Sequence, residues 1–554
     1  MLETYRAELA YLRALARRLA GEYPEIAHLV SERQGDVSLE RLFEGAALLF
    51  ARTQQRIGDD LPEILHPLFE RLWPQYLRPW PAAALLRFKN EDDLQQAYLV
   101  PADTPVRSIK VEGRACSFRT ANSVEVLPMT VELVQLVRPR PSDLQLHLHF
   151  HLTAGTQLDT LGLQRLRFHL HAPEAVRDRL YLWLAHELRG VELQDPAGQT
   201  VLELPAAALE PWGLGDDQAL IPHQPTPLPG LRLLEEFFFF REKFWAFELS
   251  QLERLPPGRL SDQFRLVFRL GPLTEELALE PAHFGLGYTP VLNLSGSERI
   301  DLAVGEGVTE LRVAAPAGGS VYSVERVGGY ARQGGAFLDY VPLDARRTDL
   351  EDEVPRYQVL RRASEAASGE VYVAIVDREG NPRSPDAERV SVWLTATDGT
   401  LTAKLGPGDI SVPTSATPAF LELENIGPVR PSVPGAVGRD RLWGLLALFA
   451  ATTHSLEDTE GLRQALRQAL PDSSDLPSRL IVAVEAQATE RLHHRMMQPV
   501  RQVKVQVAED QLSGLGEVHL LGAILHRLYQ RPGDHALAEL TIEALPSGRV
   551  FTFS

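Results

Sequence analysis

Leu231 to Leu249 reads Leu-Arg-Leu-Leu-Glu-Glu-Phe-Phe-Phe-Phe-Arg-Glu-Lys-Phe-Trp-Ala-Phe-Glu-Leu, and this aromatic block is the part of the chain that most constrains its fold. Successive side chains of a strand point to opposite faces, whereas four successive side chains of a helix point most of the way round it. Either geometry requires apolar material on two sides of the block. The block places seven aromatic rings in eleven positions: Phe237, Phe238, Phe239, Phe240, Phe244, Trp245 and Phe247.

The block has two interpretations. Burying each ring is worth roughly 1.5–3 kcal/mol, so seven exposed rings would be a large liability. The first interpretation is a domain core. The second is that part of the block is an oligomer interface, because interfaces are enriched in aromatic residues. The second makes the seven rings candidate interface residues.

Length and composition describe an ordinary globular chain with several domains. The 554 residues predict three or four domains, and 44% hydrophobic with 23% charged residues is typical of globular proteins. A net charge of −18 argues against a nucleic-acid binder or a protein that docks directly on an anionic membrane. Cys116 is the only cysteine, so no intrachain disulfide forms and a reducing compartment fits. Because we find no signal peptide and no apolar run long enough to span a bilayer, we expect a cytoplasmic protein.

The N-terminal part reads as helical. Apolar residues follow the helical period from Tyr5 to Leu19 and from Leu39 to Ile57, and a short third helix runs from Pro62 to Leu72. Pro74, Pro79 and Pro81 then end the helical pattern, because proline cannot continue a helix. The rings of this proline-rich element are further candidate interface residues: Trp73, Tyr76 and Trp80.

The rest of the chain alternates between strand patterns and turns. From Leu144 to Leu152 every second residue is apolar, which predicts a strand with one buried face. A Pro-, Gly- and Val-rich linker is expected at 427–439, followed by mixed helices and strands. We therefore predict a multidomain α+β fold. Its expected domains are a helical domain at 1–81, a β-rich domain with the aromatic block at 82–250, a second β-rich domain at 251–421 and a C-terminal domain of mixed helices and strands (α/β or α+β) at 422–554.

No residue pattern predicts a catalytic, cofactor or metal site. His147, His149 and His151 share one strand face and could approach a zinc ion, but a polar strand face is the simpler interpretation. Asp216 and Asp217 could form an acid pair, but nothing in the sequence places a partner beside them, so a solvated turn is the simpler interpretation. Cys116 reads as a small buried hydrophobe, since no histidine partner is readable.

Several segments resemble the TssF (ImpG/VasA) family of type VI secretion baseplate proteins. The aromatic block matches the family pattern of a glycine, a Leu-Leu-x-Glu-aromatic run and a Lys-Phe step. The matching positions are Gly230, Leu233, Leu234, Glu236, Phe237, Lys243, Phe244 and Phe247. The Pro-x-Tyr-Leu-Arg-Pro run at 74–79 and the Gly-x-Gly…Leu-Gly-Ala-x-Leu run at 514–525 also resemble the family.

The resemblance implies a structural role without catalysis or cofactors. It implies a baseplate wedge of two TssF copies and one TssG, which joins TssK and TssE, encircles the VgrG spike and is docked at the inner-membrane complex. Rearrangement of the wedge would then trigger sheath contraction, and domains joined by proline-rich linkers would suit such a switch. Two alternatives remain: a β-sandwich polysaccharide hydrolase or carbohydrate-binding protein, and a wedge protein of a phage tail-like particle.

Overall fold

A computed structural model gives the fold of most of the chain after residue 72. It describes these residues: 9, 44–46, 48–49, 66, 68–70, 72–90, 94–140, 143–158, 161–223, 229–256, 258, 260, 262–271, 277–305, 307–331, 337–343, 345, 355–362, 369–385, 387–418, 420–435, 439–450, 456–470, 475–493, 496–530 and 537–554. The predicted N-terminal helices lie mostly outside the described residues. The few residues described between 9 and 70, and Leu72, are helical.

Six α-helices are described as continuous elements. They are α1 (Glu174–His186), α2 (Pro229–Phe239), α3 (Arg439–Ala450), α4 (Thr459–Ala469), α5 (Leu476–Leu480) and α6 (Leu515–Tyr529). Strands far outnumber them, so the prediction of a multidomain, β-rich α+β chain is confirmed.

The first sheet combines strands from distant parts of the chain. In spatial order its strands are Leu421–Asn425, Ala83–Asn90, Tyr288–Leu292, Arg114–Thr120 and Pro105–Val111. All its pairs are antiparallel. A two-stranded ladder of Tyr98–Val100 and Val124–Val126 packs beside it and shares its apolar core.

A central pair of sheets surrounds the aromatic block. The larger contains Thr200–Pro205, Leu188–Gln194, Gln263–Leu270, Asp143–Leu152 and Met129–Arg140. The smaller contains Leu209–Pro211, Ala246–Leu249, Leu166–Leu170 and Phe284–Gly285. In the strand Asp143–Leu152 the predicted apolar side is buried from Leu144 to Leu152, which confirms the alternation.

A seven-stranded sheet forms a separate core. In spatial order its strands are Glu298–Ala303, Ala387–Thr397, Ser320–Ala331, Phe337–Pro342, Arg356–Arg362, Glu370–Val376 and Glu310–Val313. Its buried side chains form one cluster that includes Val327, Val373 and Val392.

The C-terminal sheet is the platform on which α6 lies. Its strands are Ile481–His493, Met496–Ala508, Leu537–Leu545 and Arg549–Phe553. The strands Met496–Ala508 and Leu537–Leu545 are parallel, so they need a crossover connection, and α6 is the helix within it.

The predicted domain boundary between residues 250 and 251 does not separate two β-domains. Gln263–Leu270 pairs with Asp143–Leu152, and Tyr288–Leu292 pairs with Ala83–Asn90. Strand pairing is non-local, and a run of strand patterns along the chain does not show which strands are neighbours.

The expected linker at 427–439 is partly ordered by a sheet. The Trp80 N–H donates to Val433 O (2.8 Å), and the Arg430 N–H donates to Ala83 O (2.7 Å). These bonds extend the edge of the first sheet, so this part of the segment is held along the proline-rich element rather than acting as a free hinge.

Candidate interaction surfaces

The aromatic block folds as helix, turn and strand. Helix α2 ends at Phe239, a short 3-10 turn covers Arg241–Phe244, and the chain then enters the strand Ala246–Leu249. All seven rings are buried, with no more than 6% of any of these residues exposed. The block is therefore interior to the chain.

The four consecutive phenylalanines pack into two different apolar clusters. Phe237 and Phe238 pack edge-to-face (5.2 Å between centroids) in the main cluster with α6 and the central sheets. Phe239 and Phe240 point into a second cluster with Leu85 of the first sheet. A helix distributes consecutive side chains around its axis, so these rings join two layers of one chain.

These contacts correct the interpretation of the block as an oligomer interface. Rings that already contact other parts of the same chain offer no surface to another subunit in this conformation. The apolar material on two sides that the sequence required comes from within the chain. The domain-core interpretation is the one that describes Phe237, Phe238, Phe239, Phe240, Phe244, Trp245 and Phe247.

A charged cluster lies inside the same block. The Glu236 carboxylate accepts hydrogen bonds from the Arg232 guanidinium (3.1 and 3.2 Å), from the Lys243 ammonium and from the Leu220 N–H (2.9 Å). Arg232, Glu236 and Lys243 are each at most 5% exposed. The Glu and Lys of the family-like pattern are thus partners in a buried ion pair.

The electrostatics of the cluster follow from burial and pairing. Burial by itself raises the pKa of Glu236, but Lys243 and Arg232 outweigh it and hold that pKa below its ordinary value. Burial lowers the pKa of Lys243 to about 8, although Glu236 opposes the shift. The cluster is therefore stable only as a complete set, because each charge is desolvated.

Arg232 also reaches the acidic turn at 216–217. Its Nη2 donates to Asp216 Oδ1 (3.2 Å) and to Gly215 O (3.1 Å). Both aspartates are exposed, as a solvated turn predicts, and the Asp216 side chain is 79% exposed. The partner of Asp216 could not be predicted locally, because Arg232 is sixteen residues away in sequence and only the fold brings it close.

Helix α6 packs directly on the block. The Arg241 guanidinium pairs with the fully buried Glu517 carboxylate, which also accepts a hydrogen bond from the Ser513 N–H (2.6 Å). A Cβ atom on Gly230 would overlap the backbone of Leu528, so only glycine allows α2 and α6 to approach this closely.

Helix α1 supplies the cap of α6. The Asp178 carboxylate accepts hydrogen bonds from the N–H groups of Gly516 (3.1 Å) and Glu517 (2.8 Å). A Cβ on Gly516 would collide with Asp178 O. The glycines of the Gly-x-Gly run therefore let the start of α6 reach a carboxylate from a helix more than 300 residues earlier.

The rings of the proline-rich element are only partly available. Tyr76 is buried, which raises its pKa well above the ordinary value. Trp80 is half-buried with its ring 4.8 Å from that of Phe239. Trp73 is half-buried beside Phe69 (5.9 Å). Whether Trp73 or Trp80 contacts another protein stays a prediction.

The described residues contain no group of three or more His, Cys, Asp or Glu side chains placed to hold a metal ion. His147 hydrogen-bonds Gln145 (2.9 Å), and burial, with Arg265 nearby, lowers the pKa of His147 to about 4. His149 neighbours it, and His151 lies near Glu132 (4.0 Å). Cys116 is fully buried, as expected, and burial raises its pKa to about 11.

Buried neutral histidines predict acid sensitivity. Burial lowers the pKa of His169 to about 3 from an ordinary value near 6.5. Below pH 6.5 the unfolded chain binds a proton there that the folded chain does not, so this stabilisation is present above pH 6.5 and is lost as pH falls towards 3.

At pH 5.5 His169 alone is expected to cost about 1.4 kcal/mol of stability relative to pH 8. Denaturant unfolding of wild type and His169→Gln across pH 5–8 measures this effect. His169→Gln should reduce the pH dependence of the free energy of unfolding, and equal slopes for both proteins would contradict the assignment.

Exposed apolar side chains occur near the N-terminus. Leu48 is 45% exposed, Leu68 42% and Leu72 39%. Trp443 of α3 is likewise exposed. Single exposed apolar side chains are ordinary on a protein surface, whereas a contiguous patch of them indicates a surface that binds another protein.

Comparison with known proteins places this geometry in a family. The family profile described as "Type VI secretion system, TssF" matches residues 1–552. The chain belongs to the TssF family. It is similar to the type VI secretion system component TssF1 of Pseudomonas aeruginosa, with 26% identity over 587 aligned positions that cover 96% of this chain and 94% of the relative.

Two solved structures share the fold of this TssF-family chain. A chain in the cryo-electron microscopy structure of a TssK–TssF–TssG baseplate subcomplex matches with a TM-score of 0.73, 24% identity, and coverage of 93% of this chain and 98% of that one. A chain of a type VI secretion baseplate complex matches with a TM-score of 0.58, 23% identity, and coverage of 100% and 98%. Both matching chains are parts of type VI secretion baseplate assemblies.

Within the described part of the chain, no helix has both the length and the apolar character needed to cross a membrane.

Proposed function

We propose that this chain is the wedge subunit of a type VI secretion baseplate. Two copies bind one TssG, and the wedge links TssK, TssE and the VgrG spike on the cytoplasmic side of the inner-membrane complex. The observation that carries the proposal is the family match over residues 1–552. The similarity of fold to a chain of a TssK–TssF–TssG subcomplex supports it.

The chain acts through contacts rather than catalysis. Its most unusual charged cluster, Arg232–Glu236–Lys243, is closed inside the core and accessible to no substrate. Such a cluster fixes one packing arrangement of the block instead of performing a reaction.

The core suggests where the trigger for sheath contraction passes. One cluster of buried apolar side chains extends from the central sheets through α1 and α2 to α6 and the C-terminal sheet. Close-packed interiors transmit strain and deform little. The central and C-terminal parts therefore move as one body, and rearrangement takes place at surfaces between subunits instead of at residues 427–439.

Co-purification of the full chain with TssG and TssK tests the proposal. We expect both partners to be recovered, with two copies of the chain per TssG by native mass spectrometry. A chain that recovers neither partner, or that turns over a polysaccharide, contradicts the proposal.

The exposed N-terminal leucines are expected to contribute to this binding. The double substitution Leu48→Asp and Leu68→Asp places charge on apolar surface and should weaken TssG binding at least tenfold, or about 1.4 kcal/mol. The matched control carries Leu99→Asp and Ile109→Asp, two apolar side chains 61% and 43% exposed elsewhere. Equal losses in both proteins, measured by calorimetry at unchanged Tm, would contradict a specific N-terminal surface.

A further inference from the structure

The outer face of the seven-stranded sheet carries a row of cations and an aromatic ring. Arg299, Trp393 and Arg326 lie directly opposite one another on three adjacent strands. The guanidinium carbons of Arg299 and Arg326 lie 5.3 and 4.6 Å from the Trp393 ring centroid. Cation–π contacts of this kind hold both guanidiniums close to the ring.

A second row of carboxylates runs beside the first, two residues further along each strand. Asp301, Ser391, Gly328 and Asp339 lie opposite one another across four strands. Asp301 accepts hydrogen bonds from Arg299 (3.0 and 3.3 Å) and from the Ser391 hydroxyl (2.6 Å).

At the other end of the rows, Arg326 donates through Nε and Nη2 to Asp339 (2.6 and 2.8 Å). Both carboxylates are thereby fixed beside the cation row, and hydrogen bonding lowers the pKa of each. The two rows together present alternating charge in a fixed arrangement.

Aromatic rings complete this surface, named here the charged-row face. A Cβ on Gly328 would lie 2.5 Å from the Phe337 ring, so the absence of a side chain lets that ring cover the strand. Tyr330, 49% exposed, packs edge-to-face on Phe337 (5.1 Å). Trp, Tyr and Arg are the residues enriched at the energetic centres of protein interfaces.

The chemistry of the face favours a protein partner. The described ionisable groups on these strand positions balance: Arg299, Arg326 and Arg389 against Asp301, Asp339 and Glu325. The face therefore has no net positive charge, which disfavours a phosphate or polyanion as ligand, while its carboxylates and guanidiniums can both meet opposite charges on a mixed-charge protein surface. The guanidiniums beside Trp393 occupy the position that a stacked sugar ring would need.

The two rows are complementary to each other. A two-fold axis that lies in the plane of the face, between the rows and parallel to them, places the cation row of one copy over the carboxylate row of the other. Arg299 then faces Asp301 of the second copy, and these two side chains are each 43% exposed. Contacts of this kind satisfy the self-complementarity that a two-fold interface requires.

We infer that the charged-row face joins two copies of this chain. The inference rests on the proposed function, because that function places two copies in one wedge. It adds the surface through which they meet and the pairing of charges across it.

Charge exchange between two copies tests the inference. The acidic variant carries Arg299→Asp and Arg326→Asp, and the basic variant carries Asp301→Arg and Asp339→Arg. Full-length chains with two different affinity tags are co-expressed without TssG, so that TssG cannot bridge the two copies, and purified through both tags in sequence. Recovery of doubly tagged complex should fall at least tenfold for two acidic or two basic chains, and return on pairing an acidic with a basic chain.

Recovery on mixing separates contact between copies from damage within one chain, because each variant alone loses its internal ion pairs. If two acidic chains still co-purify, or if the mixed pair is not recovered, the inference is wrong. The proposed function is unaffected by either result as long as each chain still binds TssG and TssK. Retention of wild type on a polysaccharide column that Trp393→Ala abolishes would overturn the inference in favour of a sugar site. Failure of wild type to bind TssG or TssK is the separate result that removes the proposed function.

Discussion

Glu236→Gln is expected to lower the free energy of unfolding by roughly 3–5 kcal/mol. The substitution keeps the size of the side chain and its hydrogen bond from the Leu220 N–H, but it removes the carboxylate that two buried cations share. Lys243 then has no ion pair left, and Arg232 keeps only Asp216. Removing one member of a buried ion pair costs this much because the remaining charge stays desolvated. Denaturant unfolding of the full chain measures the loss.

Two further variants make the result specific. Adding Lys243→Met to Glu236→Gln removes the unpaired cation, so the double variant should be more stable than Glu236→Gln alone. Glu460→Gln breaks an exposed pair with Arg467 (2.8 Å) and should change stability by less than about 1 kcal/mol. Similar losses for Glu236→Gln and Glu460→Gln would contradict the role assigned to burial.

Gly230→Ala is expected to destabilise the chain by about 3 kcal/mol, although alanine is the better helix former. The added methyl would overlap backbone atoms of Leu528, which cannot move aside as a flexible side chain can. Helices α2 and α6 must then separate, and overpacking of this kind costs about 1–3 kcal/mol, occasionally more. The Tm and the denaturation midpoint both report the loss.

Gly45→Ala is the matched control. Gly45 also lies in a helix, but a Cβ there would meet nothing within 4 Å. Because alanine is about 1 kcal/mol more favourable than glycine in a helix interior, this variant should be neutral or stabilising. A destabilisation by Gly45→Ala equal to that of Gly230→Ala would show that helix packing is not the cause.

Local patterns allowed some of this fold to be predicted. The period-2 alternation from Leu144 to Leu152 identified a half-buried strand, because only in a strand do alternate side chains point to the same face. The proline-rich run at 74–81 correctly marked the entry into the first sheet. In contrast, the break at residue 250 fails because Gln263–Leu270 pairs with a strand more than 100 residues earlier.

The charged cluster could be predicted only in part. The Glu236 and Lys243 positions were visible as matches to a family pattern, but nothing local indicates that a carboxylate and an ammonium seven residues apart share a buried site. Asp178 and Glu517 carry no local pattern at all. Their partners lie in other segments, and only packing of α1, α2 and α6 brings them together.

The sequence by itself determined that the aromatic block needs apolar contacts on two sides, that the chain is β-rich and multidomain, and that it resembles the TssF family. These conclusions depend on side-chain chemistry and on periods within one segment. Only the tertiary structure decided that the contacts come from the same chain and that Arg430 and Val433 of the expected linker pair with Ala83 and Trp80 beside the first sheet. It also aligned the charges of the seven-stranded sheet in two rows. The physical reason is that hydrophobic burial is non-directional. A sequence therefore shows how much apolar surface must be buried, but the pairing of strands and the packing of helices from distant segments decide which residues cover it.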